Sequence, residues 1–413
     1  MNDLEKLKNH FEGFKNLEFI NSESVQSRVD AFERFCQKGV PSLKQEHWKY
    51  SPLSKDLIQF QNLKFSLNQD KSFNDIHFEK FDHYRVLLKD GVLISDDIKE
   101  EGLEITKYKQ DQFYEIKKNQ ILDFNNAFFT PGFEIRVDSN ANIKKPIVIY
   151  NYFSKDFDGN NINNKNFIYL DKNSKAEIYE KNIFEDEKDL FFTKNLDIEL
   201  EQDANLVKYY LNSTNNNKTI YNFIRSKLKQ NSEFEKFNFS HNVSSCRDEI
   251  IADLNGTNAF VSLNNIQHLS QKCFHEIKWE INHNEENTRS SQFVKSALHD
   301  DSVAAFQGKI FVDSKAQKTD GYQLSRALLL SDRSKFLSKP ELEIYADDVK
   351  CSHGSSSGSI DQESIFYLRS RGINEQQAKR MMIEGFLAEV INKVKNEDVR
   401  NIFYNKLNEI NNA

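Results

Sequence analysis

The sequence predicts a mainly β protein with helical segments at both ends. Between Pro146 and Glu343, short runs rich in Val, Ile, Phe and Tyr alternate with polar turns, which is a strand pattern. Within this stretch a Leu, a short polar turn and an apolar residue six positions on recur with the Leu at 170, 200, 228, 254, 298 and 330. Outside it, apolar residues recur at helical spacing.

The regular spacing of these turns is compatible with two folds. Four of the five Leu-to-Leu intervals lie between 26 and 32 residues, and the interval of 44 residues has room for an insertion or for a skipped, degenerate turn. Strands at such a period are typical of stacked coils in a β-helix, where each coil buries its inward residues on its neighbours. A β-sandwich with evenly spaced turns gives the same period, and the spacing alone does not separate the two.

The first part of the chain predicts an N-terminal helical/mixed domain over residues 1–120. Two helices are indicated, and Gly39 and Pro41 end the second. A mixed region follows, with a short strand at Tyr84 to Leu88. The apolar positions at helical spacing are Leu4, Leu7, Phe11, Phe14, Val25, Val29, Phe32 and Phe35.

The last part predicts a C-terminal helical domain over residues 354–413. Asp361 is placed to cap a helix that Gly372 closes, and Asn374 starts a second one. A third helical stretch runs from Val399 to Ile410. The second helix carries an apolar stripe at Ala378, Met382, Phe386, Val390 and Val394.

Composition excludes several classes of function. The net charge is −7, without a basic patch interleaved with aromatics, which argues against nucleic-acid binding. No apolar run has the length of a membrane helix or the form of a signal peptide, so we expect a cytoplasmic protein with no membrane partner. The P-loop, dinucleotide and nucleophile-elbow motifs do not occur, so the chain is not predicted to be an enzyme.

Four cysteines lie far apart, without a C-x-x-C pair, so neither a disulfide framework nor a self-contained metal site is predicted. Cys36 falls on the apolar face of the second helix, and Cys246 falls in a polar turn. Cys273 and His275 are two positions apart in a strand-like run, where the structural interpretation is favoured over a ligand pair. His283 has no role that the pattern assigns.

Cys351 and His353 form the candidate site. In an extended segment, residues two apart share a face, so the thiol and the imidazole point the same way. Gly354 and the serines after it leave the pair uncrowded. Taken alone, a C-x-H in a strand is more often a buried thiol beside a surface imidazole. The nearby acidic residues either attract ferrous iron or form a solvated strand edge; they are Glu341, Glu343, Asp347 and Asp348.

Several blocks in order resemble the signature of the SufB/SufD family, the scaffold subunits of the SUF iron–sulfur cluster assembly machinery. The resemblance is densest over the last hundred or so residues and is closer to the SufD type. The blocks are Trp48 to Leu53, Phe306 to Ile310, Ala316 to Asp320, Leu328 to Ser331, Leu342 to Ile344, Ala346 to Gly354 and Phe366 to Ile373.

The resemblance implies a right-handed parallel β-helix (solenoid), which we expect over residues 121–353. It implies a heterodimer with SufB through the β-helix ends, and docking of the SufC ATPase on the C-terminal helical domain. It also implies that His353, with its neighbour Cys351, belongs to an interfacial site for iron or a nascent iron–sulfur cluster.

Under this resemblance the chain is a scaffold without turnover of its own. The prediction leaves open a flavin in the complex and a homodimer of the isolated chain. The nearer alternative is a SufB-type, cluster-carrying subunit. The distant alternative is a polysaccharide-binding β-helix protein, against which the missing signal sequence argues.

Overall fold

The fold is seen in a computed structural model, which describes residues 3–17, 20, 24–51, 53, 76–95, 98–109, 119–214 and 217–412. Pro52 of the N-terminal block lies outside these residues. The α-helices are α1 (Asp3–Phe14), α2 (Val25–Lys38), α3 (Gln120–Phe128), α4 (Gln362–Ser370), α5 (Glu375–Ile391) and α6 (Glu397–Asn412), with a short 3₁₀ helix at Glu46–Trp48. The strands are β1 (Tyr84–Lys89), β2 (Val92–Ser95), β3 (Leu103–Lys107), β4 (Thr130–Val137), β5 (Ile147–Phe153), β6 (Asn161–Leu170), β7 (Lys175–Phe184), β8 (Leu190–Leu200), β9 (Asn205–Ser213), β10 (Lys218–Leu228), β11 (Glu233–His241), β12 (Ser245–Leu254), β13 (Phe260–Leu269), β14 (Phe274–His283), β15 (Arg289–Leu298), β16 (Val303–Val312), β17 (Asp320–Leu329), β18 (Lys335–Ile344) and β19 (Lys350–Gly358).

The strands form two sheets that wind as a parallel solenoid. The first sheet has ten strands in the order β19-β17-β15-β13-β11-β9-β7-β5-β1-β2, and the second has nine in the order β18-β16-β14-β12-β10-β8-β6-β4-β3. The chain therefore alternates between the sheets, and from β4 onward each strand pairs in parallel with the strand two further along. This arrangement confirms the predicted β-helix and excludes the sandwich.

The repeating turns have a common backbone feature. At the corner where the chain passes from the second sheet to the first, one residue has a positive φ in each turn from β4–β5 to β16–β17, a conformation that Asn and Asp adopt more readily than other non-glycine residues; the turn between β18 and β19 has none. Their side chains form a ladder from coil to coil, with Asn258 donating to Asn231 at 2.9 Å and Asn231 to Asp203 at 2.8 Å. The residues are Asn140, Asn173, Asp203, Asn231, Asn258, Asn287 and Lys318.

The interval of 44 residues in the Leu pattern arises because the pattern moves from one corner of the coil to the other. The turns after Leu170, Leu200, Leu228 and Leu254 join the second sheet to the first, whereas those after Leu298 and Leu330 join the first to the second. The skipped turn follows β14, where His283 takes the place of Leu. It is fully buried, and its ring nitrogens contact the hydroxyls of Thr288 at 2.7 Å and Ser290 at 2.8 Å. His283 therefore has a structural role.

The interior between the sheets is apolar for most of its length but holds a cluster of buried charges. Glu180 pairs with Lys194 at 2.6 Å and with Lys208, while Lys236 pairs with Asp248 at 2.7 Å. Burial lowers the pKa of Lys194 to about 8, because the attraction of Glu180 only partly offsets the loss of hydration. Each buried charge thus has a partner of opposite sign.

The two ends of the chain pack on opposite outer faces of the solenoid. Helices α1, α2 and α3 share a phenylalanine-rich cluster with Cys36 at its edge. The C-terminal helices cover the outer face of the first sheet, where Lys295 donates to the Phe386 carbonyl at 2.8 Å and pairs with Glu389 at 2.6 Å. Among the described helices, none is long and apolar enough to cross a membrane.

The buried face of α5 differs in part from the predicted stripe. Met382 and Phe386 are only partly buried, because steps of four residues drift around a helix with 3.6 residues per turn. Ile383 and Leu387 are buried instead. The predicted caps hold: Asp361 accepts from the amides of Glu363 and Ser364 at the start of α4.

Candidate functional site at the open end of the solenoid

The two ends of the solenoid are closed differently. At the N-terminal end, β2 and β3 pair antiparallel with β1 and β4 and so interrupt the parallel stacking. At the C-terminal end, no strand of the described chain pairs with the outer edge of β18 or β19. The last coil therefore presents unpaired backbone N–H and C=O groups and an uncovered interior, which is an arrangement that another chain can extend.

Cys351 lies on the inner face of β19, at the edge of a small apolar cluster that contains Ile310. Its register partner on β17 is Gly321, and a Cβ at Gly321 would lie 3.3 Å from the Cys351 sulfur. The glycine therefore leaves space for the thiol to turn inward. Burial raises the pKa of Cys351, so the free chain holds it as a neutral thiol.

His353 is two residues further along β19, on the same face as Cys351, and its side chain is exposed. Its register partner on β17 is Gln323. The structure thus brings the two predicted site residues together on the inner face of the last coil. Their assignment as ligands stays a prediction.

Gln323 is a component of this region that the sequence patterns did not indicate. It is fully buried, and neither its amide oxygen nor its amide nitrogen has a hydrogen-bond partner among the described residues. The only signal in the sequence is its distance of one coil from His353, which becomes useful once the coil length is known.

Two of the acidic residues before Cys351 have lysine partners of their own. Glu343 pairs with Lys309 at 2.7 Å, and Glu341 pairs with Lys339 at 3.2 Å. These carboxylates are therefore engaged by lysines along the edge of the second sheet, as the solvated-edge interpretation predicts. Within the described ranges, no group of three or more His, Cys, Asp or Glu side chains is arranged to hold a metal ion.

The other histidines and cysteines that the sequence singled out have structural surroundings. His275 is buried, with its ring nitrogens 3.0 Å from the Ser240 hydroxyl and 2.6 Å from the Val243 carbonyl. Cys273 is buried in an apolar cluster. Cys246 is predicted in a polar turn, but it lies buried in β12, because that strand already begins at Ser245. Burial raises the pKa of Cys246 to about 12.

The open end has the properties of half a binding site. An exposed imidazole and a partly buried thiol supply two borderline-soft donors on one face, and both suit iron. Two donors leave most coordination positions of an iron ion free, so a second chain has to complete such a site. Large exposed side chains surround the end, with Tyr345 61% and Tyr322 43% exposed.

A second exposed surface lies on the C-terminal helices. Phe366 and Tyr367 on α4 are 74% and 54% exposed, and Met381 on α5 is 47% exposed. Large apolar side chains left exposed to water are typical of a protein-binding surface. These side chains belong to α4 and α5 and not to the strands of the last coil.

Comparison with known proteins relates the chain to one family. Residues 152–386 match the family model described as SUF system FeS cluster assembly, SufBD core domain. The chain is 27% identical to the iron-sulfur cluster assembly protein SufD of Escherichia coli over 378 residues, which cover 89% of this chain and 88% of that protein. It is 29% identical to the chloroplastic protein ABCI7 of Arabidopsis thaliana over 238 residues, covering 57% and 50% of the two chains. It is 39% identical to a SufBD family protein of Synechocystis over 105 residues, covering 25% and 23%.

Proposed function

This chain belongs to the SufBD family of SUF iron–sulfur cluster assembly proteins, and we propose that it is a SufD-type scaffold subunit that works without catalytic turnover of its own. The observation that carries the proposal is the uncovered last coil, with Cys351 and His353 on its inner face. We further propose that it acts in the cytoplasm and consists of three units with limits near residues 120 and 353.

We propose that SufB pairs with the free edges of β18 and β19. Two features support this interface: the edges have no partner in the described chain, and Tyr322, Ile344 and Tyr345 are exposed beside them. A partner strand would satisfy the backbone groups at these edges and cover the aromatic rings.

In this complex His353 and Cys351 supply this chain's part of a shared site, and iron or a nascent cluster is the cargo. A neutral imidazole is ready to bind metal. The thiol has to lose its proton, which an adjacent metal cation favours. Covering the end also excludes water, which strengthens the electrostatic interactions between the donors and the cargo.

SufC is proposed to dock on the surface formed by Phe366, Tyr367 and Met381. One of these helices, α5, is tied to the first sheet by Lys295, whose side chain is 1% exposed and contacts Phe386 and Glu389. A movement imposed on α5 would therefore reach the first sheet through this contact.

The proposed interface is tested at Ser357 on β19. The Lys350 amide bonds to the Thr319 carbonyl, so by the alternation of the ladder the amide of Ser357 points away from β17 toward the free edge. Ser357→Pro removes this donor and leaves the pairing with β17 in place, whereas Ser357→Ala keeps the donor and is the matched control.

Each variant is co-expressed with SufB and SufC from the same genome, and the recovered complex is quantified. We expect wild type and Ser357→Ala to recover the complex equally and Ser357→Pro to recover at least about tenfold less. Recovery of a normal amount of complex with Ser357→Pro would place the interface elsewhere, and absence of a complex with wild type would contradict the SufD assignment.

A further inference from the structure

The amide of Gln323 stands out among the buried polar groups of the solenoid. It lies on the inner face of β17, next to last in the first sheet, and both of its polar atoms lack a partner among the described residues. Leaving a buried amide unpaired costs free energy, so a buried group of this kind usually binds water, a ligand or a neighbour that has moved.

The neighbours of Gln323 form a polar column that ends at His353. Gln292 is its register partner on β15, and His353 is its register partner on β19. The oxygen of the Gln292 amide also has no hydrogen-bond partner within the described part of the chain. Parallel strands lie about 4.8 Å apart, a spacing at which stacked amides bond to one another along a ladder.

The column of serine side chains next to Gln323 on the inner face has its hydrogen bonds formed across the last coil. Ser325, two residues beyond Gln323, donates to the Ser355 hydroxyl at 3.0 Å and lies 3.2 Å from the Ser338 hydroxyl. The polar groups beside Gln323 are thus satisfied across the last coil. The counterpart of Gln323 in the last coil is the imidazole of His353, but that imidazole is exposed in the isolated chain.

We infer that Gln323 is a positioning residue for His353. When a partner covers the end of the solenoid, the imidazole loses its contact with water. The Gln323 amide oxygen then accepts a hydrogen bond from one ring N–H, while the amide nitrogen donates to the oxygen of Gln292. The bond fixes the tautomer of His353 and leaves the lone pair of its other nitrogen for the cargo.

This inference rests on the proposed function, because the cargo and the covering partner come from it. It makes Gln323 part of the support of the site rather than a ligand. It also gives a role to a buried glutamine whose amide has no partner among the described residues.

The test compares Gln323→Leu, which removes both hydrogen-bonding functions, with Gln323→Glu, which keeps the acceptor. Gln292→Leu removes the amide one coil deeper, which pairs in register with Gln323 and not with His353, so it tests the support of Gln323 separately from its contact with the ring. The tautomer of His353 is read by nitrogen NMR of histidine-labelled protein, both in the isolated chain and in the complex with SufB, with the signal assigned by its loss in His353→Ala. Iron binding by the complex is measured in parallel.

In the complex, we expect a single tautomer in wild type and Gln323→Glu, a mixture in Gln323→Leu, and about tenfold weaker iron binding in Gln323→Leu at normal complex recovery. Gln292→Leu should change both readouts less. A single tautomer and unchanged iron binding in Gln323→Leu would overturn the inference.

If wild type forms no complex, the proposed function fails. The inference then falls with it, because Gln323 bonds to His353 only under a covering partner. In the isolated chain the tautomer ratio of His353 should therefore be the same in wild type and Gln323→Leu, and a difference there would overturn the assignment of this bond to the covered state.

Discussion

The guanidinium of Arg247 lies 4.2 Å from the centre of the Trp48 ring, and both side chains are fully buried. Arg247 belongs to β12 in the second sheet, whereas Trp48 belongs to the N-terminal segment. The same guanidinium donates to the His47 carbonyl at 3.1 Å, to Glu249 at 2.9 Å and to Glu276 at 2.6 Å. One arginine therefore fastens the N-terminal segment to the outer face of the solenoid.

Replacing this arginine should destabilise the protein strongly. Arg247→Met leaves Glu249 and Glu276 buried without their cation, and loss of one partner from a buried charge pair typically costs about 3–5 kcal/mol. Denaturant unfolding of the purified chain measures the effect. Arg333→Met is the control: Arg333 also pairs with a carboxylate, Asp301, at 2.7 Å, but its side chain is 75% exposed, so the loss should stay below about 1 kcal/mol. Equal losses of unfolding free energy in the two variants would show that the buried contacts of Arg247 stabilise the protein no more than an exposed ion pair does.

Stability should fall in mild acid, partly through His268. Its ring lies between the rings of His241 and His299, which are tilted against it with centroids 5.5 and 5.2 Å away. Burial, followed by the charges of these neighbours, lowers the pKa of His268 to about 3. An unfolded histidine has a pKa of about 6.5, so between these values the unfolded chain binds the extra proton. The free energy of unfolding therefore decreases as the pH falls through this window, by about 1.4 kcal/mol per pH unit for this group.

His268→Leu removes this contribution, so the decrease of stability below pH 6.5 should become shallower by that amount. At pH 7.5 the variant should lose little, because neither ring nitrogen of His268 has a hydrogen-bond partner among the described residues. Unfolding midpoints across pH 4.5–7.5 measure both effects, with exposed His77→Leu as control. The same slope in wild type and His268→Leu would contradict the assignment.

Two glycines should respond in opposite directions to alanine. Gly256 lies in the turn between β12 and β13, and a Cβ there would lie 2.0 Å from the Gln230 amide nitrogen in the turn of the preceding coil. Gly256→Ala should force the coils apart and cost about 1–3 kcal/mol. Gly385 is exposed in α5 with open space around it, so Gly385→Ala should stabilise by about 1 kcal/mol. Thermal unfolding of both variants checks the signs, and stabilisation by Gly256→Ala would refute the tight stacking at that corner.

SufC binding should depend on the exposed aromatic surface of α4. Phe366→Asp places a charge where we propose an apolar contact and should weaken SufC binding about tenfold or more. Leu43→Asp is a suitable control, because Leu43 is 46% exposed but lies in the N-terminal segment. Binding of purified SufC to each variant gives the comparison, and equal affinities would remove this surface from the docking model.

Local patterns were enough to predict the helical ends and the caps. Asp361 and Gly372 carry their signals in residue type, and the i+4 pattern placed α5 correctly along the chain. The repeated turns were visible as a Leu, a polar turn and an apolar residue six positions on, and all of them except the turn after Leu330 contain a residue with a positive φ. The sequence did not show at which corner of the coil each turn lies, since the turns at both corners have a similar polar composition. The chain therefore showed that Leu254 and Leu298 begin similar turns, but not that these turns lie at opposite corners.

Other features depend on contacts between coils and left no trace in the sequence. Glu180 and Lys208 look like solvent-facing residues of an amphipathic strand, yet they meet inside the solenoid. Spacing in an extended strand was enough to place Cys351 and His353 on one face. It was not enough to find Gln323, which approaches His353 only through the register of β17 and β19.

The central claim is that the open end of the solenoid holds a shared site at which His353 contacts iron or a nascent cluster. The most direct test is the iron and sulfide content of the complex co-purified with SufB and SufC, comparing wild type with His353→Ala. The account predicts equal recovery of the complex and a strong loss of cluster content in the variant. Unchanged cluster content in a complex that contains His353→Ala would contradict the claim, and would leave β19 as a structural edge alone.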